Sequence, residues 1–276
     1  MSSLHPLDAV GLAEDADVAI DATALLLAAE DRPGLSPDDA LAMLPDPAPV
    51  AEAALLRSGA DGRRLPSVTD WAAAVGQHVC RTMGLSGDRA SYDAPENADL
   101  LDVLRRRRGL PVALAIIGAG LVRRAGGRAD VLGLPGHAVL QVGADEDAAW
   151  LDLFNGPRVL DAEGLGRAVH RAMGRHVRLT VEDLRPMSNR ATIIRLVNNQ
   201  VVRARKAGQA GRALTLLRRL TRIAPAEPTL WWERARLEHL TGDRVAARAS
   251  LAAMRETTRE PKLMRRIAAA EEAIDR

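Results

Sequence analysis

The chain has 276 residues, of which 47% are hydrophobic, so it can bury one sizeable core together with a smaller appended domain. This composition excludes a disordered chain, and the single cysteine, Cys80, excludes an intramolecular disulfide and a cysteine-based zinc site. The net charge of +2 hides a division: residues 1–184 carry 18 Arg and 27 acidic residues, whereas residues 185–276 carry 20 basic and 9 acidic residues.

The sequence contains no apolar run long enough to span a bilayer. The first residues lack the basic and apolar regions of a secretory signal. We therefore expect a cytoplasmic protein that does not bind membranes. The sequence predicts neither a cofactor nor a metal site.

Apolar residues at helical spacing predict that the first part of the chain is a series of helices. Polar N-cap residues and prolines mark several of their starts. The predicted spans are 17–30, a short helix from Ser36, 50–56, 67–83, a helix through Leu100, Leu101 and Leu104, and 111–124. Cys80 falls near the end of the fourth helix, where the helix dipole raises a thiol pKa. We interpret it as a buried structural thiol.

After Gly126 and Gly127 the spacing of apolar residues becomes that of strands, over 129–132, 137–142 and 148–153. The acidic turn 143–147 predicts a hairpin between the last two strands. If Val142 pairs with Asp147, then His137 lies opposite Asp152 on the same face. A slip of one residue would separate the two side chains.

From Arg190 onward the chain is predicted to be helical. Gly208 and Gly242 lie 34 residues apart in similar contexts, which is the period of tetratricopeptide helix pairs. The predicted second pair joins 230–240 with 245–254, and 262–274 forms a capping helix. Two repeats leave an apolar face uncovered, so we expect the tail to pack on the preceding domain. The predicted domains are 1–184 and 185–276.

Five short motifs occur along the chain: Tyr92-Asp93-x-Pro95-Glu96-Asn97, Arg106-x-Arg108-Gly109-x-Pro111-Val112, Leu134-Pro135-Gly136-His137, Leu151-Asp152-x-Phe154-Asn155-Gly156 and Leu196-Val197-Asn198-Asn199. Their order and spacing resemble the SirB-type transglutaminase-like family. The resemblance implies a mostly helical α+β fold, with a transglutaminase-like (papain-like) core, a small antiparallel sheet and a tetratricopeptide-like helical tail. It also implies that His137 and Asp152 match two members of a catalytic triad.

Pro111 stands where catalytic relatives in this resemblance have the nucleophilic cysteine. Proline is favoured at the first position of a helix, and no nearby residue replaces the missing thiol. We therefore expect a non-enzymatic protein or scaffold that binds a protein or peptide. The alternative is a hydrolase or acyl transferase that uses His137 and Asp152 with water or a nucleophile supplied by the substrate.

Two basic segments are candidate contact surfaces. The run from Arg105 to Arg108 points in four directions around a helix, with Asp99 and Asp102 one turn away, and we interpret it as a solvated helix end. In the tail, Arg203, Arg205 and Lys206 are candidates for contact with an acidic protein or peptide. Nucleic-acid binding through the basic tail is a third, weaker hypothesis, because few aromatic residues lie among its arginines.

Overall fold

The structure, a computed structural model, describes residues 4–59, 64–144 and 147–275. The chain divides into two compact units, Asp15–Leu196 and Met1–Glu14 together with Val197–Arg276. The sequence placed the boundary at 184/185. The observed division lies twelve residues later, inside a long helix, and the N-terminal segment joins the C-terminal unit. Among the described residues, no helix is long and apolar enough to cross a membrane.

The α-helices of the described residues are α1 (Pro6–Leu12), α2 (Ile20–Ala29), α3 (Pro37–Leu41), α4 (Ala48–Ser58), α5 (Val68–Gln77), α6 (Leu100–Arg106), α7 (Pro111–Arg124), α8 (Ala162–Met173), α9 (Asn189–Lys206), α10 (Ala210–Ile223), α11 (Pro228–Leu240), α12 (Arg244–Thr257) and α13 (Pro261–Asp275). The strands are β1 (Ser86–Gly87), β2 (Arg108–Gly109), β3 (Ala129–Leu134), β4 (His137–Val142), β5 (Ala149–Leu151) and β6 (Val159–Leu160). The fold is a mostly helical α+β fold.

Polar residues fix several helix starts. The Ser36 hydroxyl accepts a hydrogen bond from the Asp39 amide at the start of α3, and Ser67 and Asp70 form a capping box at the start of α5. The helix predicted over 67–83 ends as an α-helix at Gln77 and continues as the π-helical turn His78–Thr82, which contains Cys80.

The centre of the unit Asp15–Leu196 is α7, whose residues from Pro111 to Val122 are all buried. Helices α2, α4 and α5 pack against α7, and strands β3 and β4 pack against it as well. A helix that is apolar on all its faces must pack against other elements on all its faces. Helix α8 packs on β4 and β6, and an apolar cluster that includes Leu132, Val139 and Leu165 lies there.

The larger sheet is antiparallel, in the order β3-β4-β5-β6. In the hairpin of β4 and β5, Val142 pairs with Ala149 and Leu140 pairs with Leu151. The predicted pairing of Val142 with Asp147 is therefore wrong by two residues. Because side chains alternate with a period of two, a slip of two residues keeps His137 and Asp152 on one face. Two residues of the predicted acidic turn, 145–146, lie outside the described residues.

The second unit consists of packed helices, with α1 against α10, α10 against α11, α11 against α12, and α12 against α13. The turns at Gly208 and Gly242 repeat the same geometry, with φ of 71° and 86°. The backbone amide of Gln209 donates to the carbonyl of Ala204, and the amide of Asp243 donates to the carbonyl of Glu238. The two turns are thus equivalent at an offset of 34 residues.

Candidate functional site

His137 and Asp152 lie in contact at one end of the larger sheet. Nε2 of His137 is 3.0 Å from Oδ1 of Asp152, and only 6% and 3% of the two side chains are exposed. This is ion-pair distance, although neither atom completes a hydrogen bond of good geometry. The structure therefore brings the two predicted side chains together, although the strand register differs from the predicted one.

The Asp152 carboxylate has further neighbours. The side-chain amide of Asn155 donates to Oδ2, and the backbone amides of Asn155 and Gly156 donate to the Asp152 carbonyl at 3.0 Å. Arg171 of α8 lies 3.9 Å from Oδ2. Burial alone would raise the pKa of Asp152, but His137 and Asn155 outweigh it, so the pKa lies below its ordinary value. Asp152 is therefore ionised at neutral pH.

Arg195 of α9 fixes the backbone where β4 begins. Its guanidinium donates to the carbonyls of Leu134 and His137, which close the turn between β3 and β4. Burial lowers the pKa of Arg195, while Tyr92 acts in the opposite direction. Arg195 thus fixes the position of His137 through a hydrogen bond to its main-chain carbonyl.

Phe154 connects the pair to the start of α7. Its ring lies edge-on to His137 at 6.1 Å and edge-on to Tyr92 at 5.9 Å. The Phe154 carbonyl accepts a hydrogen bond from the Gly87 amide in β1, and β1 pairs in parallel with β2, just before Pro111. A Cβ atom on Gly87 would lie 2.4 Å from the ring, so only glycine permits this approach.

A buried polar network anchors the loop that carries Tyr92. Asn97 is fully buried, and its amide donates to the carbonyls of Ser91 and Tyr92. Arg106 donates to the Asn97 side chain and to Asp88, and Asp88 accepts from the Ser91 amide. The Ser91 amide, together with Asn97 and Arg106, outweighs burial and holds the pKa of Asp88 below its ordinary value. The first recognised motif thus builds a rigid loop beside Phe154.

Cys80 lies in the π-helical turn, with Sγ 3.9 Å from the carbonyl of Leu153. Burial raises the pKa of the Cys80 thiol to about 11, more than the nearby Arg81 lowers it, and Asp152 raises it further. The thiol is therefore protonated at neutral pH. Burial is the main cause, and not the helix dipole expected from the sequence.

A cavity of about 650 Å³ opens beside Phe154 and Asn155. Cys80 and Leu85 form part of its floor, and exposed arginines stand at its rim. The cationic lining residues are Arg81, Arg89 and Arg108. Within the described ranges, no group of three or more His, Cys, Asp or Glu side chains could hold a metal ion.

A family model described as the transglutaminase-like superfamily matches residues 48–198, which is more than half of the chain. The chain belongs to the transglutaminase-like superfamily. The matched region contains Pro111, His137 and Asp152, and it ends close to the division between the two compact units.

Two curated relatives of this transglutaminase-like protein come from Xylella fastidiosa, and each is named "UPF0162 protein". The relative from strain 9a5c is 29% identical over 255 residues, which cover 90% of this chain and 87% of the relative. The relative from strain Temecula1 is 28% identical over 221 residues, which cover 78% and 75% of the two chains. No solved structure matches the chain significantly.

The basic residues of the two candidate segments have different surroundings. Arg105 pairs with Asp102, and Arg106 pairs with Asp88. In the tail, Arg205 forms an ion pair of 2.7 Å with Glu233, Arg203 donates to Asn199, and Lys206 is exposed. A contact of Arg203, Arg205 and Lys206 with a partner stays a prediction.

Sequence reasoning missed two residues of this transglutaminase-like site, Asn155 and Arg195. Asn155 belongs to the fourth motif, and its position three residues after Asp152 is a signal that could have identified it, because Asn side chains commonly form hydrogen bonds within their own turn. Arg195 is distant from His137 in the sequence, and no spacing rule connects them. Its role depends on how α9 packs against the sheet.

Proposed function

We propose that this transglutaminase-like protein binds a protein or peptide partner without transforming it. The observation that carries the proposal is Pro111, the first residue of α7, at the position where the motif resemblance puts the nucleophilic cysteine. Proline offers neither a nucleophilic atom nor a backbone N–H group. Acyl transfer by a covalent intermediate therefore has no starting atom there.

Three further observations support the proposal. The only cysteine, Cys80, is held protonated by burial, which raises its pKa to about 11, so it is a poor nucleophile at neutral pH. His137 is only 6% exposed, which leaves its imidazole little access to a substrate carbonyl. The equivalent turns at Gly208 and Gly242 support a tetratricopeptide-like tail and a SirB-type protein.

In this proposal the partner is acidic and occurs in the cytoplasm. The tail residues Arg203, Arg205 and Lys206 remain candidate contacts, with the exposed Lys206 requiring the least rearrangement. Helical hairpins of this kind present a surface to which a protein or peptide can bind.

The proposal is tested by incubating the purified protein with a glutamine-containing peptide and a primary amine, followed by mass spectrometry. We expect no deamidated and no amine-linked product above the level of a His137→Ala variant. An active transglutaminase run in parallel shows that the assay detects product. A product that forms with time and disappears in His137→Ala would contradict the proposal.

A hydrolase or acyl transferase is the second candidate, and the contact between His137 and Asp152 favours it. An ionised carboxylate beside an imidazole orients the ring and stabilises the imidazolium that forms when the imidazole accepts a proton as a general base. Water or a nucleophile supplied by the substrate would give a proton to His137 and attack the carbonyl carbon, and His137 would return the proton to the leaving amine as the acyl–nitrogen bond breaks. The same assay separates the candidates, and loss of product in Cys80→Ser would instead implicate the lone thiol.

A further inference from the structure

The cavity beside Phe154 is lined by three arginines that lie close together in the fold. Arg81, Arg89 and Arg108 line it, and among the described residues none of the three has a carboxylate within ion-pair distance. Their neighbours Arg105 and Arg106 each pair with an aspartate. The cavity therefore concentrates positive charge that no described side chain neutralises.

Among the described residues, the one carboxylate in the lining does not cancel this charge. Asp88 is already paired with Arg106 at 3.2 Å and is buried away from the rim. The uncancelled cations instead donate hydrogen bonds to neutral groups: Arg89 to the Asn155 side chain and Arg108 to the Ser86 hydroxyl. Neutral acceptors are weaker partners for a guanidinium than carboxylates are, so an incoming anion can replace them.

The apolar lining and the volume of the cavity suit a short peptide segment. The volume of about 650 Å³ lies in the range of pockets that enclose small organic ligands. The Phe154 ring and the Pro157 ring provide apolar surface, and the arginines stand exposed at the rim. The backbone amides of Gly87 and Asp88 already donate to Phe154 and Gly109, so they are not available as an amide nest of the kind that many phosphate sites use.

We propose that this cavity binds a carboxylate-bearing peptide segment, with Arg89 and Arg108 as the anchoring cations and Arg81 as a third contact. The proposal rests on the partner-binding function proposed above and assigns the chemistry of the partner. Arg89 shares Asn155 with Asp152, because the Asn155 side chain accepts from Arg89 and donates to Asp152. A carboxylate that replaces Asn155 as the acceptor for Arg89 therefore acts on the side chain that donates to Asp152.

The test measures fluorescence anisotropy of a fluorescein-labelled peptide with consecutive Glu residues, titrated with the full-length protein. The same peptide with Gln in place of Glu, and one with phosphoserine, are the comparison probes. We expect the Glu peptide to bind and the Gln peptide not to bind. Because each charge-assisted contact is worth about 1.4 kcal/mol or more, the Arg89→Gln/Arg108→Gln variant should bind the Glu peptide at least about tenfold more weakly.

A matched control variant, Arg57→Gln/Arg105→Gln, removes the same number of charges from exposed positions outside the cavity and should bind as the wild type does. Circular dichroism shows whether each variant is folded, and Arg81→Gln, which alters an exposed side chain, provides a second, milder variant. It should weaken binding in the same direction.

Three results would overturn the cavity assignment. They are the absence of Glu-peptide binding, equal loss of affinity in the cavity and control variants, and binding of the phosphoserine peptide alone. Binding that survives Arg89→Gln/Arg108→Gln but is lost in Arg203→Gln/Lys206→Gln would also overturn it, while leaving partner binding in place. Turnover of a glutamine peptide, by contrast, would contradict the proposed function and not the location of the cavity.

Discussion

Asp152 is the most tightly held charged group of the site, because three different parts of the fold contact it. His137 belongs to β4, Asn155 to the turn after β5, and Arg171 to α8. The Asp152 side chain is only 3% exposed, so these contacts act on a buried carboxylate. A buried carboxylate is stable only when its neighbours stabilise the charge, and here they do so strongly enough to lower its pKa.

This lowered pKa predicts how stability depends on pH. Because the pKa of Asp152 is lower in the folded protein than in the unfolded chain, the carboxylate stabilises the fold above about pH 4, and the contribution is lost as the pH falls through the folded-state pKa. We expect Asp152→Asn to lower the free energy of unfolding at pH 7 by about 1–3 kcal/mol. Urea unfolding measured from pH 7 down to pH 3 checks this.

In that series the difference between wild type and Asp152→Asn should shrink as the medium becomes acidic. Glu52→Gln, which alters an exposed carboxylate on α4, serves as the control and should show little difference at any pH. A difference for Asp152→Asn that stays constant down to pH 3 would mean that the ionised form gains nothing from the fold.

Single residues also show where sequence reasoning reached its limit. The contact of His137 with Asp152 could be predicted, because both fall in motifs at the open end of one hairpin and share a face. The guanidinium of Arg195 on the His137 carbonyl and the arginine-lined cavity could not be predicted. Both depend on segments that tertiary packing brings together, such as Arg89 and Asn155, which lie 66 positions apart.

At the scale of elements, the β1–β2 pair depends on a strained residue. Arg107, which ends α6, has φ of 57°, and it is the only described residue other than glycine with positive φ. Its carbonyl accepts a hydrogen bond from the Ser86 amide, and the sharp turn places Arg108 and Gly109 alongside Ser86 and Gly87. The conformation costs an L-residue about 1–2 kcal/mol.

Arg107→Gly should therefore stabilise the protein by about 1 kcal/mol, because relief of the strain exceeds the added entropy of the unfolded chain. Chemical denaturation of both proteins measures the difference. Arg105→Gly is the matched comparison and should destabilise by a similar amount, because residue 105 has ordinary helical geometry. If both variants lowered stability equally, Arg107 would carry no strain.

The elements that could be predicted were those with strong local signals. Prolines, with an N-cap serine at α3, marked α3 and α7, and apolar spacing marked α5 and the tail helices. The hairpin register was two residues off, because the tip of its turn gave no sharp pairing signal. Helix α8 was missed, since Gly164 and Gly166 weaken its helical pattern, although Asp161 caps its start and Gly174 its end.

At the scale of the whole molecule, the uneven charge is largest in the C-terminal unit, and much of it is compensated within that unit. Its ion pairs join Arg205 and Arg236 to Glu233, Arg218 and Arg234 to Glu238, Arg222 to Asp8, and Arg255 to Glu271. The rings of Trp231 and Trp232 lie against Arg234 and Arg266. These contacts occupy the aromatic surfaces on which bases would otherwise stack.

We therefore expect weak binding to nucleic acid, with a dissociation constant above about 1 µM at physiological salt and a steep loss of affinity as salt rises. Filter binding of random-sequence DNA and RNA at two salt concentrations measures both quantities. Lys206→Gln in the tail and Glu52→Gln in α4 show whether any affinity comes from the basic tail. Affinity tighter than micromolar at physiological salt would favour nucleic acid over an acidic peptide as the partner.

The central proposal is that residue 111 occupies the position where the motif resemblance puts the nucleophile, in a site that otherwise keeps a transglutaminase-like form. The most direct test is the thiol pKa of Pro111→Cys in a Cys80→Ala background, measured from thiolate absorbance against the Cys80→Ala protein alone. The thiol would stand at the first position of α7, and the motif resemblance places it beside His137, so we predict a pKa well below the ordinary value of about 8.5, raised again by His137→Ala. A pKa at or above 8.5, or one that does not respond to His137→Ala, would contradict the claim.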